Sequence, residues 1–237
     1  MHYPNCMCTL TYIPDYNKNI ITANRDENPL RNASGLSPIT NKKGEEFLIT
    51  REPVFGGTNL AIDLDGAVTT LLNGAFGPHL SGGNYRMSRG IMVLESLEFE
   101  DLFHFSQEFD FKNIEPFTQV RFSEVIQEIR WDGKDITALT HDPGIPHIWA
   151  SAQLYSDLVI EKRKEWFQRF IDSYGSPSPD DTFDFHRLAG DGDSENDLVM
   201  SRGNMVRTVS ITQVSRETGI KSIRHMNMLD GSDVRIG

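Results

Sequence analysis

Cys8 is the side chain best suited to nucleophilic chemistry, because a methionine, Met7, stands directly before it. If translation started at Met7 and that methionine were removed, Cys8 would carry a thiol and an α-amine on one residue. An α-amine titrates at about 8 and a thiol at about 8.5, so the amine could act as the base for the thiol near neutral pH. Residues 1–7 are therefore expected to be a leader or a mis-assigned start.

Three further polar residues could assist such a nucleophile, namely Arg25, Asp26 and Asn73. A guanidinium stabilises a nearby thiolate, a carboxylate can orient an α-amine, and an asparagine amide can donate to a developing oxyanion. Each residue also has a structural interpretation. Cys8 could be a small core residue, Arg25 and Asp26 a surface ion pair, and Asn73 a turn residue. These residue types alone leave both interpretations open.

The elements expected to position these residues begin with a β-hairpin. Strands are predicted at 8–13 and 20–24, with turn-forming residues between them. This hairpin would return Arg25 and Asp26 alongside Cys8. A second predicted hairpin, with strands that flank an Asp-Gly turn and run over 58–64 and 67–72, ends at Asn73.

The rest of the chain alternates predicted strands with predicted helices, which favours a layered α+β domain. Strands are predicted at 117–122, 125–131, 134–140, 147–152, 205–214 and 220–228, helices at 89–98, 99–109, 154–174 and 184–190, an irregular excursion at 28–50, and loops at 74–84 and 175–181.

Composition narrows the class of protein. The chain has 237 residues, 38% of them hydrophobic, which fits a folded globular domain. A net charge of -11 argues against broad binding to nucleic acid or to an anionic membrane surface, and no apolar run is long enough to span a bilayer. Cys6 and Cys8 are the only cysteines, and their spacing suits a mutual disulfide poorly, so a reducing cytoplasm is the expected compartment. The oligomeric state is left open.

No metal or cofactor site is expected. An acidic stretch at 191–197 lacks the glycine and the final glutamate of a calcium loop, and a solvated loop is the better interpretation. The seven histidines show no metal-ligand spacing, and the glycine-rich loop lacks the lysine of a phosphate-binding loop.

Several short motifs occur in a characteristic order. Met7–Leu10 is followed by Ala23–Glu27, which contains the tetrapeptide Asn-Arg-Asp-Glu. The chain thereby resembles the Asn-Arg-Asp-Glu (NRDE) family, also called the transport and Golgi organisation protein 2 family. The resemblance is dense up to Gly90 and thinner afterwards; its further matches are Gly56–Ala61, Leu72–Asn73, Ser88–Gly90 and Arg207–Ser210.

This resemblance implies an N-terminal-nucleophile (Ntn) hydrolase domain over residues 8–237, with a four-layer αββα sandwich of antiparallel sheets. The family looks closest to the branch that contains penicillin V acylases and bile salt hydrolases. Carried over by position, Cys8 is the nucleophile and base, Arg25 contacts the thiol, and Asp26 holds the amine. Asn73 is implied to be one oxyanion donor, and Arg207 a second charged group of the site.

Two departures from the expected pattern concern the candidate site. The arginine and aspartate of the branch are three positions apart, whereas here Asp26 directly follows Arg25, so Asp26 and Glu27 compete for the amine. The segment His147–Ala152 resembles His-Gly-Leu-Ser-Asn-Ser, and Ser151 then stands where an asparagine would supply the second oxyanion donor.

The expected function is hydrolysis of non-peptide C–N amide bonds in a small molecule. The alternative is a non-catalytic protein on the same scaffold that binds or moves an apolar ligand such as a lipid or haem. A hydrolase needs a Cys8 with a free amine and a reactive thiol, and a carrier needs neither.

Overall fold

Two antiparallel seven-stranded sheets and four helices make up the described part of the chain. The computed structural model describes residues 7–15, 18–33, 35–79, 83–153, 155–217 and 220–237, so Cys6 and most of the expected leader lie outside the described residues. The chain divides into two compact units. Unit A comprises residues 7–32 together with Gly144–Gly237, and unit B comprises Ala33–Pro143.

The elements are numbered in chain order. The strands are β1 Met7–Asp15, β2 Lys18–Glu27, β3 Ser37–Thr40, β4 Glu46–Arg51, β5 Thr58–Asp63, β6 Val68–Asn73, β7 Phe117–Phe122, β8 Ile126–Trp131, β9 Ile136–His141, β10 His147–Ala150, β11 Ser201–Arg202, β12 Val206–Glu217, β13 Ile220–Asn227 and β14 Asp233–Ile236. The helices are α1 Arg89–Ser96, α2 Leu102–Glu108, α3 Asp157–Tyr174 and α4 Pro179–Leu188.

The sheet of unit A has the strand order β10-β1-β2-β12-β13-β14, with β11 paired to β12. Because side chains alternate along a strand and directly paired residues share a face, the register assigns each residue to one side. The Cys8 face carries Cys8, which pairs with Arg25. The opposite side, which we call the helix face, carries Thr9 and its partner Asn24.

Polar contacts attach α3 and α4 to the helix face. Thr11 Oγ1 lies 2.7 Å from Nε2 of His186, and the Nδ2 atom of Asn24 donates to the His186 carbonyl at 3.0 Å. From α3, the guanidinium of Arg163 donates to the hydroxyl of Thr9. These bonds fix the two helices against β1 and β2, the strands that carry the candidate site.

The sheet of unit B is a meander in which every strand pairs with its neighbour in sequence, from β3 to β9. Helix α1 begins after Ser88, whose hydroxyl accepts from the N–H of Ile91, and it packs on β5 and β6. Gly57 and Gly90 let α1 approach β5 closely, since a Cβ at Gly57 would lie 2.6 Å from the Gly90 carbonyl carbon. The core of this unit includes the aromatic residues Phe105, Phe117 and Trp131.

Both predicted hairpins are confirmed. Strand β1 pairs with β2 so that Cys8 lies opposite Arg25, and β5 pairs with β6, which ends at Asn73. The strand predicted at 117–122 is also confirmed.

Three predictions of secondary structure need correction. The segment 28–50 is not irregular, because Phe47 and Ile49 alternate into the core and form β4, which pairs with β3. Helix α4 begins at Pro179, inside the predicted loop, because Ser178 and Asp181 form a capping box. Helix α2 is shorter than predicted, because Asp101 caps it at its N-terminus.

Among the described helices, none is long and apolar enough to cross a membrane.

Candidate active site

Cys8 lies near the start of β1, in the interior of its sheet, and its side chain is only 3% exposed. Arg25 on β2 is its direct cross-strand partner and is 4% exposed. On the other side of β1, the backbone N–H of Ser151 donates to the Cys8 carbonyl at 3.1 Å. The first hairpin and the strand β10 therefore place a thiol, a guanidinium and a serine next to one another.

Arg25 is part of a buried ion pair. Its Nη2 atom lies 3.6 Å from Oε2 of Glu27, two residues along β2 and hence on the same face. Glu27 is fully buried, and the same oxygen lies 3.2 Å from Nη1 of Arg31. Two guanidinium groups thus share one carboxylate, and one of them belongs to Arg25, the cross-strand partner of Cys8.

Asp26 points to the helix face and is fully buried there. Its Oδ2 atom accepts from the hydroxyl of Tyr155 at 2.8 Å, and its Oδ1 atom accepts from the hydroxyl of Thr208 at 2.5 Å. Burial raises the pKa of Asp26, while the nearby positive charge of Arg163 and the two hydroxyl donors oppose that rise. The two carboxylates that compete for the amine role are thus held differently, Glu27 by arginines and Asp26 by neutral hydroxyls.

No motif of the sequence points to Tyr155 or Arg163. The guanidinium carbon of Arg163 lies 3.7 Å from the centroid of the Tyr155 ring, and both side chains are fully buried. A signal for Arg163 is present in the sequence. It stands at helical spacing with Trp166, Phe167 and Phe170, so a charged residue falls on the apolar stripe of α3.

Arg207 pairs with Glu27 and lies at the exposed end of β12. Between Thr208 and Ser210 the pairing of β12 with β2 shifts by one residue, a β-bulge at Val209. Residues 207 and 210 would face opposite sides of a regular strand, but the bulge lets both face the Cys8 side. The register thus brings Arg207 to the same face as Arg25, one row beyond it.

Ser151 is fully buried directly after β10. Its N–H bond to the Cys8 carbonyl places it at the β10 side of Cys8. In an extended residue the N–H and C=O groups point to the same edge, so the Cys8 nitrogen also faces Ser151. The position that resembles the asparagine of the family therefore lies beside the nucleophile candidate.

Asn73 belongs to unit B. It is the last residue of β6, pairs with Phe117 and is 3% exposed. Gly74 follows with a φ of 82°, and its N–H donates to the Pro116 carbonyl, which ends the strand sharply. Its predicted role as an oxyanion donor for Cys8 stays a prediction.

Within the described ranges, no group of three or more histidine, cysteine, aspartate or glutamate side chains is arranged to hold a metal ion.

The chain matches known proteins by structure but not by sequence. No protein-family model matches the chain, and no curated protein matches it either. Solved structures do match. Penicillin V acylase from Agrobacterium tumefaciens is 11% identical, with a TM-score of 0.60 over 97% of this chain and 85% of its own. A cysteine-to-alanine mutant of conjugated bile acid hydrolase from Clostridium perfringens is 8% identical, with a TM-score of 0.59 over 97% of this chain and 92% of its own.

A second structure of the bile acid hydrolase, an arginine-to-leucine variant, has a TM-score of 0.51, 10% identity and coverage of 97% and 88% of the two chains. At these identities the likeness shows the fold alone. The predicted fold class is confirmed: the chain is an α+β protein of the αββα sandwich class, with the fold of Ntn hydrolases.

Proposed function

We propose that the protein is an Ntn-type hydrolase that uses Cys8 to cleave non-peptide C–N amide bonds in small molecules. The observation that carries this proposal is the pairing of Cys8 with Arg25 at the start of β1, in a chain with the fold of an acylase and a bile acid hydrolase. A cysteine beside a buried guanidinium is a suitable nucleophile, because the positive charge favours the thiolate.

The proposed reaction has two steps. Once Cys8 is N-terminal, its amine takes the thiol proton, and the sulfur attacks the amide carbon to give a tetrahedral oxyanion. The C–N bond then breaks, the proton passes to the leaving amine, and a thioester remains. Water, deprotonated by the same amine, attacks the thioester, releases the acid and restores the thiol.

The other site residues take supporting roles in this proposal. Arg25 stabilises the thiolate, and Asp26 holds the amine of Cys8. Asn73 supplies one oxyanion donor, and Arg207 adds positive charge at the same face. The N–H of Ser151 already donates to the Cys8 carbonyl, so a second oxyanion donor would have to come from its hydroxyl.

The remaining assignments belong to the same proposal. Residues 8–237 would act as one NRDE-family domain, with residues 1–7 as a leader or a mis-assigned start. The location would be cytoplasmic, and the substrate would be a small-molecule amide.

The decisive test compares the full chain with a protein that starts at Met7 and has lost that methionine, as verified by intact mass. Cys6→Ser in the full chain ensures that alkylation reports Cys8 alone, and Cys8→Ser is the negative control. We expect faster alkylation by iodoacetamide, and any amide hydrolysis, only in the trimmed protein, because an acylated nitrogen has no basic lone pair. Equal reactivity and equal turnover in both forms would refute the mechanism and favour a ligand-binding protein on the same scaffold.

A further inference from the structure

The Cys8 face continues beyond Arg25 as two rows of paired residues. Cys8 pairs with Arg25, Arg25 with Ser210, and Ser210 with Asn227, so one row crosses four strands. The next row, two residues along, contains Ala23, Thr212 and His225. We call the polar members of both rows beyond Arg25 the polar strip; they are Ser210, Thr212, His225 and Asn227.

All four side chains of the polar strip are buried, with exposures between 2% and 4%. Burying polar groups costs free energy unless each finds a partner. Asn227 is fully engaged, since Oδ1 accepts from Asn32 at 3.1 Å and Nδ2 donates to Asp230 at 3.0 Å. These hydrogen bonds account for the burial of Asn227, but His225 is not satisfied in the same way.

Only one of the two ring nitrogens of His225 has a hydrogen-bond partner among the described residues. Its Nδ1 atom lies 2.8 Å from the hydroxyl of Thr212, and its Nε2 atom is buried with no hydrogen-bond partner among the described residues. Burial and the positive charge of Arg25 lower the pKa of His225, and the carboxylates of Asp230 and Asp233 oppose that shift. The ring is therefore neutral near pH 7, with one nitrogen available to a ligand.

Resting on the proposed function, we propose that the polar strip is a substrate subsite in which Nε2 of His225 binds a neutral hydrogen-bonding group at the far end of an extended amide substrate. A hydroxyl or carboxamide fits, because either can donate or accept and so complements either tautomer of the ring. Three strand spacings and a two-residue offset separate Cys8 from His225, on the order of 15 Å. The substrate arm therefore crosses β2 and β12 and ends in a polar group rather than a methyl.

The test uses alkylating probes of Cys8 in the trimmed protein. The probes are unsubstituted iodoacetamide and N-substituted iodoacetamides whose arm of about ten atoms ends in a hydroxyl, a carboxamide or a methyl group. Because one neutral hydrogen bond distinguishes the arms, we expect the polar-ended arms to alkylate Cys8 about threefold to tenfold faster than the methyl-ended arm. In His225→Leu this ratio should fall close to one, and in the control His104→Leu, at an exposed position, it should stay unchanged.

A second measurement does not depend on the folding of His225→Leu. In the unchanged protein, ¹⁵N spectra should show a shift of the His225 Nε2 resonance when the hydroxyl-ended arm is attached, and no such shift with the methyl-ended arm. Equal rates for all arms, a preference that survives in His225→Leu, or an unchanged Nε2 resonance would each overturn the subsite.

Unsubstituted iodoacetamide separates this result from the proposed function. Its rate reports the reactivity of Cys8 alone, whereas the ratio between arms is taken on one protein and reports the polar strip alone. A normal iodoacetamide rate with no difference between arms rejects the subsite and keeps the nucleophile. If no probe alkylates Cys8, both proposals are overturned, because the subsite requires Cys8 to react with a substrate whose arm lies on the polar strip.

Discussion

Asp26 is held by two hydroxyl groups from distant parts of the chain, Tyr155 and Thr208. A buried carboxylate is costly, and each hydrogen bond to its charged form offsets part of that cost, as does the nearby positive charge of Arg163. The backbone N–H of Met200 donates to the same Thr208 hydroxyl at 2.9 Å, which fixes the direction in which that hydroxyl points. The network thus secures the segment of β2 that lies opposite Met7 and Cys8.

Tyr155→Phe should therefore destabilise the protein although it keeps the whole aromatic ring. The change leaves one oxygen of a buried carboxylate without its donor, and we expect a loss of about 1–3 kcal/mol in the free energy of unfolding. Chemical denaturation measures this loss. Tyr174→Phe, at a residue 54% exposed in the same unit, is the matched control and should change stability little. Equal effects of the two variants would show that the bond to Asp26 contributes nothing particular.

The sequence predicts a site residue where a nucleophilic or charged side chain stands near the end of a predicted strand. Cys8, Arg25 and Asp26 were predicted to lie together, and the register confirms that β2 returns them alongside β1. The sequence could not show that Arg25 and Asp26 face opposite sides, since that depends on which residue pairs with which. Tyr155 was missed because its role depends on a contact 129 residues away in the chain.

In unit B, helix α1 packs closely against the start of β5. Gly57 and Gly90 belong to two separate motifs of the sequence, and the structure shows that they are in contact. A Cβ at Gly57 would lie 2.6 Å from one backbone atom of α1 and 2.8 Å from another, and backbone cannot move aside as a side chain can. These two motifs therefore have a packing explanation that is independent of catalysis.

Gly57→Ala should consequently destabilise unit B. Forcing a methyl group into this contact should cost about 1–3 kcal/mol, the usual range for overpacking. Thermal unfolding followed by circular dichroism measures the loss. Gly77→Ala is the control, because nothing lies within 4 Å of a Cβ placed there. If Gly57→Ala unfolds at the same temperature as Gly77→Ala, the close approach of α1 is wrong.

Helix α4 depends on a buried neutral histidine. The Nδ2 atom of Asn24 donates to two carbonyls, so its Oδ1 accepts, and Nδ1 of His186 must carry the proton of the 2.6 Å bond between them. Nε2 then accepts from the hydroxyl of Thr11. Burial, helped by the charge of Arg163, lowers the pKa of His186 from 6.5 to about 3.

Because of this lowered pKa, the free energy of unfolding of the protein depends on pH. The unfolded chain binds a proton at His186 below pH 6.5 and the folded chain does not until about pH 3, so stability falls as the pH is lowered through that window. The loss should be about 1.4 kcal/mol for each pH unit below the unfolded pKa. Denaturation at several pH values should show a stability difference between the wild type and His186→Gln that shrinks towards low pH. A constant difference would show that the pKa of His186 is the same in the folded and the unfolded chain.

Helices and strands were predicted correctly where neighbouring residues in the sequence determine them. The Ser88 cap, the Asp-Gly turn between β5 and β6 and the strand Phe117–Phe122 are all signalled by adjacent residues. Strands β3 and β14 were missed because they are short edge strands with exposed residues, so no apolar alternation marks them. Edge strands are specified by the neighbour they pair with, and that neighbour is not visible in the local sequence.

At the scale of the whole molecule, the two sheets differ in how far apart in sequence their strands lie. In unit B each strand pairs with the next, whereas in unit A the central pair joins β2 to β12, as in the pairing of Arg25 with Ser210. The candidate site and the polar strip both depend on this distant pairing. Neither could be read from the first ninety residues, where the family resemblance is dense, because β12 and β13 follow after position 200.

This difference predicts an order of folding. Pairing distant strands requires closing a long loop before any contact is gained, so high contact order slows folding, whereas the meander of unit B needs only short closures. We expect the amides of β6 and β7 to gain protection from hydrogen exchange before those of β2 and β12 when the chain refolds from denaturant. Pulse-labelling exchange read by mass spectrometry resolves the two sets of strands. The alkylation of Cys8 gives a second readout on the same samples, since its thiol is buried only when β1 and β2 have joined the sheet. If protection appears in β2 and β12 at the same time as in β6 and β7, the two units fold as one cooperative structure and loop closure does not limit the formation of the site.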